Sequence, residues 1–164
     1  MVSNRASVPD DGQVVVKTAL GWVVAILNGD RITALDIVTE RPSTAPAQGA
    51  LAKRLAAAVA GYFAGRAWPD DLPLAPAGTP FQQRVWDKLR RIPCGATRRY
   101  GDIASELGTS ARAVGGACRA NPLLLLIPCH RVVASNGRGG FAGHSQGRWP
   151  AIKAWLLDHE QSMA

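Results

Sequence analysis

The chain has 164 residues, 47% hydrophobic and 19% charged, so it can bury one sizeable core or a small domain against a larger one. Its apolar runs, residues 123–127 among them, are far too short to cross a bilayer, and residues 1–13 lack the apolar centre of a secretion signal. Those features point to a cytoplasmic protein, free or associated with the nucleoid. The net charge of +7 is unevenly placed: residues 1–80 hold seven basic and seven acidic side chains, residues 81–164 twelve and five. Such asymmetry suits either a polyanion-binding module beside a neutral scaffold or a plain solvated basic surface.

Residues 14–16 and 22–27 read as strands, Asn28-Gly29-Asp30 supplies a tight turn, and residues 32–38 give the return strand. A Pro, Ser and Thr-rich loop over 41–49 leads to residues 50–64. There Leu51, Leu55, Val59, Tyr62 and Phe63 fall at helical spacing, with Gly65 as the stop. Residues 67–80 carry four prolines and read as a linker. The spacing of Phe81, Val85, Trp86 and Leu89 predicts a helix opened by Thr79 or Pro80 and ended before Ile92-Pro93. A short helix over 100–107, a turn at Gly108-Thr109 and a helix from the Ser110 cap to about Arg119 form a helix-turn-helix pattern. The chain is thus of mixed α/β (α+β) class: a small sheet-plus-helix domain over 1–78, then a mostly helical domain over 79–164.

The helix after Ser110 is narrow. Ala111, Ala113, Gly115, Gly116 and Ala117 leave Arg112 and Arg119 as its long side chains. Adjacent glycines weaken a helix by about 1 kcal/mol each relative to alanine, so something must favour them. Close packing against a neighbouring helix would do so, and so would close approach to a DNA groove.

Three cysteines, Cys94, Cys118 and Cys129, form no Cys-x-x-Cys pair, which argues against a disulfide framework and against zinc. His144 and His159 lack paired ligands, so neither a metal nor a cofactor is expected. Trp22, Trp68 and Trp86 read as core or interface residues, and Cys94 and Cys118 as structural ones. Cys129 differs by its neighbours. It follows Pro128, where an expected buried strand over 123–127 ends, and His130 and Arg131 come next. A thiol is a nucleophile only as thiolate and needs a base beside it. His130 can be that base, and Glu160 can orient the imidazole. A lone Cys-His dipeptide is nonetheless more readily coincidence than chemistry.

The stretch Ile127-Pro128-Cys129-His130-Arg131-Val132-Val133 resembles the active-site signature of the O6-alkylguanine-DNA alkyltransferases, or methylated-DNA–protein-cysteine methyltransferases. Phe81-Gln82, Val85-Trp86, Leu89 and Ile92-Pro93 resemble that family's first helix of the domain, and Gly95, Thr97, Tyr100-Gly101, Ile103 and Ala104 its next segment. Residues 112–117 with Arg119, Asn121 and Pro122 resemble its recognition helix and hinge; Lys153, Trp155-Leu156-Leu157 and His159-Glu160 resemble its closing helix. The likeness covers nearly all of 81–164, whereas residues 1–80 resemble the variable N-terminal domain in layout only.

The resemblance implies a single-turnover repair protein that takes O6-alkylguanine, and O4-alkylthymine, out of duplex DNA and keeps the alkyl group on Cys129. It implies that His130 deprotonates the thiol through a water, that Glu160 completes the relay and that Asn121 braces the turn. It further implies that Tyr100 and Arg112 drive and sustain base extrusion, with Ala113, Gly115, Arg119 and Arg131 at the DNA. The carbonyls of Cys129 and Val132, Phe141 and the Ala142 amide would then shape the lesion pocket. Double-stranded DNA would be the partner of a monomer, cooperative or not along the duplex.

One segment departs from the family. Phe141 stands where a tyrosine is usual, Gly143-His144 where two glycines are usual, and residues 145–152 contain an insertion. An altered tolerance for the alkyl group is expected from this loop. The competing readings are a lesion-binding protein that transfers nothing, against which Cys129 itself argues, a helix-turn-helix transcription factor, and a Cys-His hydrolase, for which no oxyanion loop is visible.

Overall fold

A computed structural model describes residues 12–137, 139–141, 144 and 146–164. Its internal contacts divide the chain into two compact units: residues up to 77 together with Pro122–Leu124, and residues 78–121 with 125–164.

The first unit is an antiparallel meander of β1 (Gln13–Thr18), β2 (Gly21–Asn28) and β3 (Arg31–Val38), followed by α1 (Ala50–Phe63). Alternation along β3 buries Leu35 and Ile37, Ile32 is buried beyond a register irregularity opposite Ile26 and Leu27, and α1 contributes Leu55, Val59 and Tyr62 to the apolar core. The outer edge of β3 is covered by two short segments instead of a fourth strand. Ile32 N donates to Pro73 O and Ala75 N to Ile32 O, while Leu35 N donates to Pro122 O and Leu124 N to Leu35 O. Backbone groups that would template aggregation are thereby paired. The stretch read as a linker is therefore partly structural: Leu74 bridges Ile32, and Leu72 is buried.

In the second unit, α2 (Pro80–Leu89) opens with a capping box. Thr79 accepts from Gln82 N at 3.1 Å, Gln82 Oε1 accepts from Thr79 N at 2.9 Å, and Pro80 occupies the first turn. α3 (Tyr100–Leu107) ends on Gly108 at φ 65, where the left-handed conformation favours glycine, and α4 (Ala111–Arg119) starts at the Ser110 cap. Trp86 Nε1 donates to Ala117 O at 2.9 Å, fixing α2 against α4. Two elements escaped the sequence reading: β4 (Arg98–Arg99) and β5 (Val132–Val133), a two-residue parallel pair in which Arg98 faces Val132. Strands this short leave no periodicity to read. α5 (Arg148–Met163) closes the unit with Ile152, Lys153, Leu156 and Glu160 buried on one side.

The expected strand over 123–127 is absent. Leu123 makes a single bridge to Leu35, after which Leu125 adopts φ 72, the one non-glycine positive φ among the described residues. The apolar run is a buried reversal, and an unbroken run of leucines cannot distinguish one from a strand. No helix among the described residues is long and apolar enough to cross a membrane.

Candidate alkyl-acceptor and DNA-binding site

Cys129 stands on the single turn of 3₁₀ helix Cys129–Arg131 that follows Pro128. The parallel pairing of β4 with β5 brings this turn alongside the start of α3, so Tyr100 and Cys129 line the same cavity. That cavity has a volume of ≈ 740 Å³ and is walled by Arg112, Gly115, Gly116, Cys118 and Arg119 from α4 and by Ala134, Gly139, Gly140, Phe141 and His144 from the loop before α5. Its size is that of a small-molecule site.

Around the sulfur the groups are closely set. Asn121 Nδ2 donates to Ile127 O at 2.8 Å and to Cys129 Sγ at 3.3 Å. Burial pushes the Cys129 thiol up to about 11, against the opposing pull of the Asn121 hydrogen bond and the Lys153 charge. At neutral pH the resting sulfur is therefore protonated and needs a base at the moment of reaction.

His130 is fully buried, and its Nε2 stands 3.0 Å from Glu160 Oε2. Since Glu160 is a carboxylate, Nε2 carries the proton, and Nδ1, buried without a protein partner, holds the lone pair. Burial lowers the proton affinity of the imidazole, although Glu160 works the other way. Burial alone would raise Glu160, but hydrogen bonds from Arg131 and His130 outweigh it and hold the carboxyl well below the usual range.

Lys153 is buried as well. Its Nζ donates to Val132 O at 2.6 Å and Gly140 O at 3.0 Å, and lies 5.7 Å from the Tyr100 ring centre. Burial pushes it down to about 8, while the Cys129 and Cys118 thiols pull upward. Burial, with the thiols of Cys118 and Cys129 behind it, raises Tyr100, which is thus a neutral phenol able to donate.

The structure brings together most of the residues singled out by sequence: Cys129, His130, Glu160 and Asn121 in one cluster, and Tyr100, Arg112, Gly115, Arg119 and Phe141 around the adjoining cavity. Ala113 is half-buried in the first turn of α4, its N–H held by Ser110 Oγ. Ala142 lies outside the described residues. Arg131 requires correction. It is not a surface contact for DNA but a buried side chain, with Nε 2.8 Å from Glu160 Oε1, Nη2 2.8 Å from Oε2 and Nη1 2.7 Å from Ile92 O. The Val132 carbonyl, expected to read a base, already accepts from Lys153.

Two residues were underread. Cys118 is more than structural packing, since it lines the cavity wall beside the acceptor. Lys153 was legible in principle: it precedes Glu160 by seven residues with Leu156 between them, which puts two charged groups on the buried stripe of α5. For Gly115 and Gly116 the packing explanation fails, because a Cβ at either position would meet nothing within 4 Å. Their surface is open.

The second helix of the helix-turn-helix, narrow, basic and exposed, thus stands beside a cavity lined by Cys129, with the buried His130–Glu160 pair one residue further along the chain. Residues 80–162 match the family model described as 6-O-methylguanine DNA methyltransferase, DNA binding domain, and the chain belongs to that family. A methylated-DNA–protein-cysteine methyltransferase of Salmonella typhimurium is 50% identical over 106 residues, which is 62% of this chain and 59% of that protein. The chain thus spans somewhat under two thirds of that relative's length. A DNA base-flipping protein of Thermus thermophilus is 45% identical over 126 residues, 74% of this chain and 82% of the relative. The O6-methylguanine methyltransferase structure of Mycobacterium tuberculosis superposes with a TM-score of 0.78 at 35% identity over 93% of both chains, and an OGT structure from that organism in complex with DNA with 0.75.

Proposed function

We propose that this chain repairs O6-alkylguanine, and O4-alkylthymine, in duplex DNA by moving the alkyl group irreversibly to Cys129. The observation that carries the reading is the joint placement of Cys129 and Tyr100 on one cavity of ≈ 740 Å³, with His130, the next residue in the chain, hydrogen-bonded to Glu160. The related M. tuberculosis structure with DNA and the related base-flipping protein support duplex DNA as the partner.

In this reading residues 79–164 bind DNA and accept the alkyl group, and residues 1–78 are a scaffold. The protein acts as a monomer at the nucleoid, in the cytoplasm. The alkylated oxygen is hidden inside the stack, so the nucleotide must leave the helix, at a cost of a few kcal/mol. Arg112, exposed at the cavity mouth, fills the gap and offsets part of that cost. Tyr100 crowds the phosphate and donates a hydrogen bond to the extruded base. The thiol proton passes through a water to His130 Nδ1. The sulfur then attacks the alkyl carbon as the carbon–oxygen bond breaks, and guanine leaves, taking up a proton in place of the alkyl group. Asn121 keeps the sulfur aimed, and positioning of this kind carries much of the rate. A thioether has no comparable leaving group, so one turnover consumes the protein.

The test is direct. Incubation with an oligonucleotide carrying O6-methylguanine should add one methyl group to the Cys129 peptide, and Cys129→Ala should abolish the addition. An unmodified peptide together with tight lesion binding would establish the binding-only reading instead.

A further inference from the structure

Arg131 was expected at the DNA, yet its guanidinium is spent inside the protein. It grips both oxygens of Glu160 at 2.8 Å and fills its remaining arm with the Ile92 carbonyl at 2.7 Å. The same carboxylate receives His130 Nε2 at 3.0 Å. One carboxylate therefore serves a permanent cation and an imidazole at once, and all three groups are buried.

The consequence follows from charge. A buried carboxylate facing only an imidazole would draw a proton onto it and form an ion pair. An imidazole already protonated at both nitrogens has no lone pair and cannot accept the thiol proton. With Arg131 in place the carboxylate charge is met, and Glu160 orients His130 without charging it. We infer that Arg131 is a positioning residue of the relay: its two-point hold on Glu160 keeps the His130 imidazole neutral, with Nδ1 free to accept the proton of Cys129. This inference rests on the proposed alkyl transfer for its kinetic meaning, but its electrostatic content stands apart from it.

The surroundings agree. The charged and titratable groups acting on the His130–Glu160 pair are Arg131 from its own turn, Lys153 from α5, and Cys94 from the turn after α2. The Lys153 charge acts on His130 in the same direction as Arg131, and burial adds to both. Cys94 is pushed up by burial and then by Glu160, so it stays a neutral thiol and does not compete for the guanidinium as an anion. Glu160 is the one group that favours a charged imidazole, and Arg131 is bound to it.

The experiment compares wild type, Arg131→Met and Arg131→Met/Glu160→Gln by NMR titration of the His130 ring and by the pH dependence of methyl transfer to Cys129. Arg131→Met leaves the Glu160 charge unmet. The His130 titration should move up by about one pH unit or more, and transfer measured about one unit below the shifted titration should fall about tenfold and recover as the pH is raised. In the double variant the carboxylate is gone, and the imidazole titration should return toward that of wild type. An unchanged His130 titration in Arg131→Met, or an equal rise in both variants, would overturn the inference; so would a rate loss that no pH restores. Should Arg131→Met not fold, Arg131→Gln gives the same reading. It can still donate to Glu160 but carries no charge, so the imidazole should titrate higher than in wild type, and an identical titration counts against the inference. Failure of wild type to methylate Cys129 would instead remove the proposed function and leave the NMR result to judge this inference alone.

Discussion

Asn121 Nδ2 donates at once to the Ile127 carbonyl and, at 3.3 Å, to Cys129 Sγ, so one side chain ties the reacting sulfur to the backbone two residues before it. The segment from Asn121 to Ile127 contains the reversal at Leu125, which no regular hydrogen-bond ladder supports. The amide therefore has two tasks, closing the turn and aiming the thiol.

Replacing Asn121 by alanine should separate them. The Ile127 carbonyl keeps the Cys129 N–H at 2.8 Å, so the loss is one hydrogen bond, about 0.5–1.5 kcal/mol of stability. Loss of aim should lower transfer to Cys129 by roughly a hundredfold, beyond what the fraction unfolded explains. Thermal melts and single-turnover rates on the same samples would check this. A rate loss fully accounted for by unfolding would reduce Asn121 to a structural brace.

Acid should destabilise the fold in two stages. His130 is lowered by burial, and Glu160 is held low by Arg131 and His130 in spite of burial. For both, the unfolded chain binds a proton at a higher pH than the folded one, so stability is complete above the unfolded values and is lost on acidification. The first loss should begin near the free imidazole value of about 6.5 and the second near the carboxylate value of about 4.3. Glu106, lowered to about 2 by Arg98 and Lys88, adds to the second stage, but this exposed group is screened by solvent. Melting temperature against pH is the measurement. Glu160→Gln should lower the plateau and flatten the limb below the carboxylate value; an unaltered limb would contradict the assignment.

Much of this was legible in the chain itself, for physical reasons that differ by element. Strands β1 to β3 show as apolar, β-branched stretches with the Asn28-Gly29-Asp30 turn between the last two, and α2, α3 and α4 announce themselves through Thr79, Gly108 and Ser110, residues whose side chains or φ end or start a helix locally. Cys129, His130, Asn121 and Glu160 were visible through the family signature, since nothing local in the sequence joins residues that lie 30 apart, as His130 and Glu160 do. What misled was the burial of charge. Arginine is most often a surface residue, so Arg131 beside a DNA-binding helix invites a phosphate role; only three-dimensional packing reveals Glu160 and Ile92 as its partners. The leucine run failed for the converse reason, because apolar content reports burial and not backbone direction.

The open surface at Gly115 and Gly116 gives the next expectation. Since a Cβ meets nothing there, alanine at either position should be tolerated and should stabilise α4 by up to about 1 kcal/mol through helix propensity. If the bare face exists so that backbone can approach DNA, Gly116→Leu should keep the fold intact yet weaken duplex binding by about tenfold or more. Chemical denaturation and fluorescence anisotropy on an undamaged duplex would read the two effects separately. Undiminished binding by Gly116→Leu would mean that α4 is not the face presented to DNA.

The last expectation concerns which alkyl groups are accepted. Phe141 and His144 exchange backbone hydrogen bonds at 2.8 and 2.9 Å and both line the cavity. Trp149, in the first turn of α5, meets Phe141 edge-on with ring centres 5.9 Å apart and lies nearly parallel to His144 at 6.5 Å, and Arg148 caps its ring at 4.6 Å. Phe141 and His144, on the cavity wall that also holds Cys129, are thus backed by the Trp149 ring. Flat rings gain about 0.5–1.5 kcal/mol from such neighbours beyond simple burial, whereas a methyl group gains none of that stacking. Benzyl transfer should therefore depend on the wall and methyl transfer should not: Trp149→Ala is expected to slow transfer from O6-benzylguanine about fivefold to tenfold while changing the O6-methylguanine rate less than about twofold. Equal losses on both substrates would mean that the wall supports the fold of the loop and does not select the leaving group's partner.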